Sequence, residues 1–244
     1  MISKSQAKYI QSLGHKKQRD QEGVFIAEGP KVVKELLMSK NAEVKNLYAL
    51  DGWLQENEKL LAHVDAAAID ERELEKISQL TTPNRVVAIV KKFSHRESPV
   101  KGKITIVLDA IQDPGNFGTI VRTADWFGVQ QIFCSHDCAD LYNAKVVQAT
   151  MGSIARVSTF YTDLIEWLQA QKDIGIYASM LGGKDVTKMP PLKEGLIVIG
   201  NEAKGIRQEL LAIANERITI PRKGQAESLN AAIAAGIILA CLVS

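Results

Sequence analysis

Short apolar runs recur along this chain, separated by polar stretches that carry helix signals. The runs VFIAE (24–28) and VVAIV (86–90) have the length and β-branched content of strands. Between them, Pro30 opens an amphipathic segment that ends at Met38, and Asp70 stands at the cap position ahead of ERELEKIS. The pattern predicts a helix over 5–13, a basic turn GHKKQRDQEG, then strand 24–28, helix 30–38 and strand 44–50. A helix over 53–62, the strand VDAAAI, the Asp70-capped helix and strand 86–90 complete a small α/β domain. KKFSHRESPVKGK (91–103) is polar, contains Pro and Gly and has no period. The expected organisation is therefore a first domain over 1–96, a linker over 97–103 and a second domain over 104–244.

The second domain opens with ITIVLDA (104–110), a continuous apolar run suited to a parallel strand buried on both faces. Helix 116–127 follows, stopped by Gly128, then strand QQIFC, helix 143–151, a strand near 154–158, helix 162–171 and strand IGIYASM. After an LGG turn come strand GLIVIG (195–200), helix 207–214, strand RITIP (217–221) and a terminal helix from Leu229. This alternation predicts an α/β fold with a mostly parallel sheet flanked by helices. Ligands in such sheets sit beyond the C-terminal ends of the strands, so those loops are where chemistry is expected.

Composition narrows the class without naming a function. With 46% hydrophobic and 24% charged residues over 244 positions, a globular chain with a full core is expected. The most apolar stretch, 231–243, is too short to span a bilayer. The first residues lack an apolar signal-peptide core, which points to the cytoplasm. Cys134, Cys138 and Cys241 lie in or beside apolar segments, and no second Cys or His pair completes a zinc set, so reduced thiols and no metal are expected.

The net charge of +2 conceals blocks. Eight bases face four acids over 1–40, four bases face nine acids over 41–80, and six bases face Glu97 alone over 81–103. Segregated positive charge suits a phosphate backbone, although many such runs are simply solvated surface.

Three loops remain. DPGNFGTIVRTADWFG (113–128) turns from a strand into a helix whose Ile120, Val121, Ala124 and Phe127 share a face, leaving Arg122 and Asp125 elsewhere. Arg122 could equally pair with Asp125 at i,i+3. In IVIGNEAKGI (197–206), Glu202 could accept from a hydroxyl or cap the next turn. In ITIPRKGQAESLNAAIAAG (218–236), Ser228 occupies an N-cap position, and a run of Ala and Gly permits close approach of another backbone.

Together the three loops resemble the signature motifs of the SpoU (TrmH-type) branch of the SPOUT RNA methyltransferases. Pro114, Asn116, Gly118, Arg122, Thr123, Ala124, Phe127 and Gly128 match the first motif. Gly200, Glu202 and Gly205 match the second. Ile220, Pro221, Ser228, Leu229, Asn230, Ala234, Ala235 and Gly236 match the third. Gly23, Phe25, Glu28 and Gly29 resemble the family's N-terminal substrate-binding domain, so the resemblance spans almost the whole chain. Ala203 and Arg222 depart from the pattern, standing where a glycine and an apolar residue are common.

The resemblance implies an L30e-like RNA-binding domain and a SPOUT domain tied in a deep trefoil knot, a topology that general chain rules would exclude. It implies S-adenosylmethionine held by the backbone of Leu181, Gly182, Gly200, Ile220 and Leu229. It further implies methyl transfer to a ribose 2′-hydroxyl of RNA, ribosomal RNA rather than tRNA, by homodimers paired through the knot. Arg122, Asn116, Glu202, Ser228 and Asn230 are the implied catalytic set, with Arg122 supplied across the dimer. Lys8, Lys16, Lys17 and Arg19 would meet RNA phosphates. Two readings from other classes compete. An RNA-binding paralogue without activity would fail to bind S-adenosylmethionine. A dinucleotide-dependent oxidoreductase lacks its G-x-G-x-x-G turn.

Overall fold

The computed structural model describes residues 2–243, which fold as two compact units. The first unit comprises the chain up to Ser94 together with Asp140–Arg156. Its elements are α1 (Lys4–Ser12), α2 (Lys16–Glu22), β1 (Val24–Glu28), α3 (Pro30–Met38), β2 (Val44–Ala49), α4 (Asp51–Glu56), β3 (Ala66–Ala68), α5 (Glu71–Ile77) and β4 (Val86–Lys91). The sheet runs β1-β4-β2-β3, with β4 antiparallel to both neighbours and β3 parallel to β2. Ile10, Leu13, Ile26, Leu74, Ile77 and Ile89 pack under one face. Asp70 caps α5 in a full capping box with Glu73, as the D-x-x-E spacing requires.

Two expectations fail here for local reasons. The basic stretch after Gly14 is a helix, α2, and not a turn. Its Lys, Gln, Arg and Glu residues are good helix formers, and Gly23 ends it at φ +64. The helix expected over 53–62 breaks at Asn57, leaving α4 and a separate single turn over Glu58–Leu60.

The second unit comprises His95–Ala139 and the chain from Val157 onward. It holds β5 (Ile104–Asp109), α6 (Pro114–Trp126), β6 (Gln131–Cys134), β7 (Ser158–Tyr161), α8 (Leu164–Ala170), β8 (Ile176–Asp185), β9 (Gly195–Gly200), α9 (Gln208–Ile213), β10 (Glu216–Thr219) and α10 (Ala231–Leu242). The remaining helix, α7 (Ala144–Thr150), lies in the connection between β6 and β7 but packs on β1 of the first unit. A single boundary near residue 100 thus misses the return of 140–156 to the first unit.

Among the described residues the second sheet has six strands in the order β10-β8-β9-β5-β6-β7, and every pairing is parallel. β5 is central and buried from Thr105 onward, which explains its unbroken apolar run. The chain proceeds outward from β5 through β6 to β7 and then places β8, β9 and β10 on the other side. The order therefore reverses between β5 and β9, where a parallel sheet opens a crevice above its C-terminal edge. α10 packs against α6. At about 18 Å for twelve residues it is far too short to cross a membrane, and no helix among the described residues is long and apolar enough to do so.

Candidate active site

Three loops at the C-terminal ends of β8, β9 and β10 enclose a cleft of about 1070 Å³. The first loop interrupts β8. Its register with β10 jumps from Ala178 opposite Arg217 to Lys184 opposite Ile218, so residues 179–183 bulge out of the sheet. Leu181 projects from this bulge, 61% exposed, and Gly182 turns it at φ +78. Gly183 closes it against β10. A Cβ at that position would lie 2.6 Å from the carbonyl carbon and oxygen of Arg217, a distance real side chains do not reach. The LGG turn read from the sequence is this bulge.

The second loop follows β9. Asn201 Oδ1 accepts the N–H groups of Ala203 and Lys204 at 2.9 and 3.1 Å, and Gly205 N–H returns to the Asn201 carbonyl at 2.8 Å. This Asx turn is tight enough that a Cβ on Gly200 would meet the Gly205 backbone at 2.5 Å. Glu202 stands at its crest. The third loop runs from Pro221 to Asn230 and is exposed at every residue, with Arg222 Nη1 donating to the Ala226 carbonyl at 3.3 Å.

That third loop ends differently from expectation. The N-cap of α10 is Asn230, whose Oδ1 accepts from Ala232 and Ile233 N–H, so Ser228 remains in the loop and lines the cleft. An amide caps as well as a hydroxyl and, unlike a serine side chain, leaves a separate NH₂ to donate elsewhere.

Asn230 uses that donor on Asn116. α6 starts at Pro114 with Asp113 as its N-cap, and Asp113 Oδ1 takes the Asn116 N–H at 2.7 Å. Asn116 in the first turn then accepts from Asn230 Nδ2 at 2.8 Å through Oδ1 and donates from Nδ2 to Glu202 Oε1 at 2.5 Å. The carboxylate can only accept, which fixes which end of the Asn116 amide faces it. Three residues from three distant motifs thus form one hydrogen-bonded line across the β5–β9 reversal.

Leu181, Gly200, Glu202, Ile220, Ser228 and Leu229 line the cleft, whereas Gly182, Asn116, Asn230 and Arg122 do not. Arg122 is exposed. Six residues along a helix place it roughly 120° around α6 from Asn116. It shares its face with Thr119 and with Trp126, which is 85% exposed. Ile120, Val121 and Ala124 are fully buried as their spacing predicts.

In the first unit, Lys8, Lys16 and Lys17 are exposed. Arg19 is not. At 3% exposure, its Nη1 donates to the carbonyls of Leu13 and Gly14, both at 2.8 Å, and its Nη2 pairs with Asp140. A guanidinium engaged this way has no fork left for a phosphate, so Arg19 leaves the set of expected RNA contacts. The basic block over 81–103 is also partly neutralised by folding. Arg85 pairs with Glu56 at 2.8 Å, Lys91 with Glu43 at 3.0 Å, and Lys92 with Asp20. Cys134, Cys138 and Cys241 are free thiols, and burial pushes the Cys134 thiol well above its ordinary range.

Sequence reasoning missed Asp113 and Asn201. Asp immediately before Pro is a readable helix start. Asn201 gave less signal, because its role depends on a turn closing on itself.

Comparison with known proteins identifies the family. Residues 103–240 match the model of the SpoU rRNA Methylase family, and residues 4–88 match the MRM3-like substrate binding domain. A 23S rRNA (guanosine(2553)-2′-O)-methyltransferase, RlmP, of Bacillus subtilis is 28% identical over 92% of this chain and 90% of its own length. The structure of a putative RNA methyltransferase of the TrmH family from Porphyromonas gingivalis superposes with a TM-score of 0.84 at 33% identity, covering 99% of this chain and 98% of that one. An AdoMet-bound rRNA methyltransferase from Sinorhizobium meliloti gives 0.81 at 31% identity, covering 99% and 95%. With its catalytic-domain model matched over more than half the chain and its motif residues drawn into one line, this chain belongs to the SpoU rRNA methylase family.

Proposed function

We propose that this protein methylates a ribose 2′-hydroxyl of ribosomal RNA, using S-adenosylmethionine held in the cleft above β8, β9 and β10. The observation that carries the reading is the Asn230–Asn116–Glu202 line, whose Glu202 end lines that cleft. The AdoMet-bound Sinorhizobium meliloti relative supports the cofactor, and the Bacillus subtilis relative named for 23S rRNA supports ribosomal RNA over tRNA.

The residues present fit the cofactor. The cleft volume is of the size that accommodates a nucleoside-sized ligand. Gly183 and Gly200 remove the side chains that would keep its backbone walls apart. Leu181 and Leu229, 61% and 44% exposed, offer apolar surface for a purine together with Ile220 of the same lining. Gly182 shapes the bulge that carries Leu181. When bound, S-adenosylmethionine supplies an electrophilic methyl on a sulfonium.

The protein's task is then to orient a ribose hydroxyl and manage its proton. Glu202 accepts from Asn116 and lines the cleft, and Ser228 of the third loop lines it too. Asn116, held at both ends, is a fixed amide for the ribose. A guanidinium offers five N–H donors and no acceptor, so Arg122 is poorly suited to act as a base. Its role is to bind the adjacent phosphate and stabilise developing alkoxide charge.

The position of Arg122 supports its delivery to a second subunit. It lies outside the lining of its own cleft, on the α6 face shared with Trp126, and Ile233 of α10 is 55% exposed. We take this as the surface of a homodimer formed through a trefoil-knotted C-terminal domain. The first unit, read as an L30e-like domain, carries Lys8, Lys16 and Lys17 toward RNA, and a ribosomal RNA substrate places the enzyme in the cytoplasm. We also propose 1–96, 97–103 and 104–244 as functional segments, with 140–156 packing on the first.

The test combines calorimetric binding of S-adenosylmethionine with transfer of its labelled methyl group to ribosomal RNA, mapped as hydrolysis-resistant 2′-O-methyl positions. Binding and transfer are expected, with Arg122→Ala losing transfer by far more than it loses RNA affinity. No cofactor binding would overturn the reading in favour of an RNA-binding paralogue.

A further inference from the structure

Asp109 is the last residue of β5 and is completely buried, yet no motif in the sequence singles it out. Its carboxylate faces one residue on the far side of the crevice. Oδ2 accepts the Arg207 N–H at 2.8 Å, and Oδ1 lies 2.7 Å from Arg207 Nε. Arg207 closes the same loop that carries Glu202. The next residue, Ala110, takes φ +56, a left-handed conformation that is uncommon for a residue with a Cβ. It is held there from both sides: its N–H donates to Ser135 Oγ at 2.9 Å, and its carbonyl accepts from Asn201 Nδ2 at 2.9 Å.

The loop over 200–207 is therefore fastened to the β5–α6 connection at both ends, by Asn201 at its start and Arg207 at its finish. Between these two fastenings stands Glu202, and just beyond the connection stands Asn116. A free Asx turn would let Glu202 swing with its loop. Fastened twice, the loop holds the carboxylate at one distance from the Asn116 amide. Strained backbone persists where its surroundings over-determine it, as they do at Ala110.

We propose that Asp109 and Asn201 are positioning residues that clasp the Glu202 loop onto the β5–α6 connection and so set the Glu202–Asn116 hydrogen bond. The inference rests on the methyltransferase reading for its consequence but not for its geometry, and the experiment separates the two.

Asp109→Asn, Arg207→Gln and Asn201→Asp are compared with wild type. Arg207 is 45% exposed but its replacement strands the buried Asp109 carboxylate, so Asn201→Asp, which leaves that pair intact, serves where either of the other two folds poorly. Asn201→Asp keeps an acceptor for the Ala203 and Lys204 N–H groups while losing the donor to Ala110. The first readout is the side-chain amide of Asn116 by NMR, which needs no activity. Its proton should exchange slowly in wild type and about tenfold faster or more in each variant. The second readout is steady-state kinetics, in which kcat should fall tenfold or more with KM for RNA unchanged, a split that general loss of fold would not give. Unchanged amide exchange in Arg207→Gln and Asn201→Asp would overturn the clasp. A shifted amide in a protein whose wild type transfers no methyl would instead leave the clasp standing and remove the proposed reaction.

Discussion

Arg19 donates through Nη2 to Asp140 Oδ2 at 2.5 Å, across 121 positions of sequence, with side chains only 4% and 17% exposed. The same guanidinium takes the carbonyls that end α1. One cation thus ties the α1–α2 corner to the returning segment 140–156. Removing one partner of a buried pair strands the other. Arg19→Ala should destabilise the protein by about 3–5 kcal/mol, read by urea denaturation. Arg19→Lys should recover only part, because a single ammonium does not reproduce a planar fork. A normally stable Arg19→Ala with weakened, less salt-dependent RNA binding would restore Arg19 as a phosphate contact.

Gly183→Ala tests the bulge that forms the first wall of the cleft. The added Cβ meets backbone atoms of Arg217 and Ile218, which cannot move aside as a flexible side chain would. The bulge should shift and cofactor affinity should fall by about tenfold or more. Gly224→Ala is the control for stability, since nothing lies within 4 Å of its Cβ and the melting temperature should not change. Equal cofactor affinity in Gly183→Ala and wild type would show that the bulge does not shape the binding wall.

Most strands of the second sheet were legible because burial on both faces writes a continuous apolar run, as at 104–109 and 195–200. The motif residues were legible because their types and spacing are unusual. What escaped depended on partners remote in sequence. α2 carries almost no apolar residue, its one buried member being an arginine whose acid lies at 140. The return of 140–156 to the first unit leaves no mark on local periodicity. Asp109 reads as the polar end of an apolar strand until Arg207 is seen opposite it. The positive block over 81–103 looked like one surface because its neutralising acids, Asp20, Glu43 and Glu56, come from elsewhere.

Glu28 is 3% exposed, and burial raises its carboxyl above the ordinary value despite hydrogen bonds from Ser78 Oγ and Gln79 N–H. A raised folded-state value means the folded protein holds the proton more tightly than the unfolded chain. The stability from this group is fully present below the unfolded value and is lost as pH rises through the folded one. Glu28→Gln removes that dependence. Relative to wild type, the variant should gain stability as pH is raised through the folded-state value, measured by urea denaturation at several pH values. A difference that stays flat with pH would assign no shift to Glu28.

Asn230 performs two tasks that substitution can separate. Asn230→Ser retains a side-chain cap for α10 but loses the amide donor to Asn116. Its melting temperature should stay near wild type while kcat drops about tenfold, the loss expected for one oriented hydrogen bond. Asn230→Ala loses the cap as well and should fall by about 1 kcal/mol in stability. If Asn230→Ser kept full kcat, the amide line would end at Asn116.

Trp126 is 85% exposed on the α6 face that carries Arg122, the face proposed above as the dimer surface. Trp126→Glu should yield monomers by sedimentation and abolish methyl transfer together with dimerisation. The decisive form of this experiment mixes two inactive proteins, Arg122→Ala and Glu202→Gln. Should Arg122 serve the opposite subunit, each mixed dimer contains one site with both groups intact. Random exchange then restores about one quarter of wild-type activity, since half the dimers are mixed and each has one working site of two. If Arg122 instead serves its own subunit, every site in the mixture lacks one group and no activity returns.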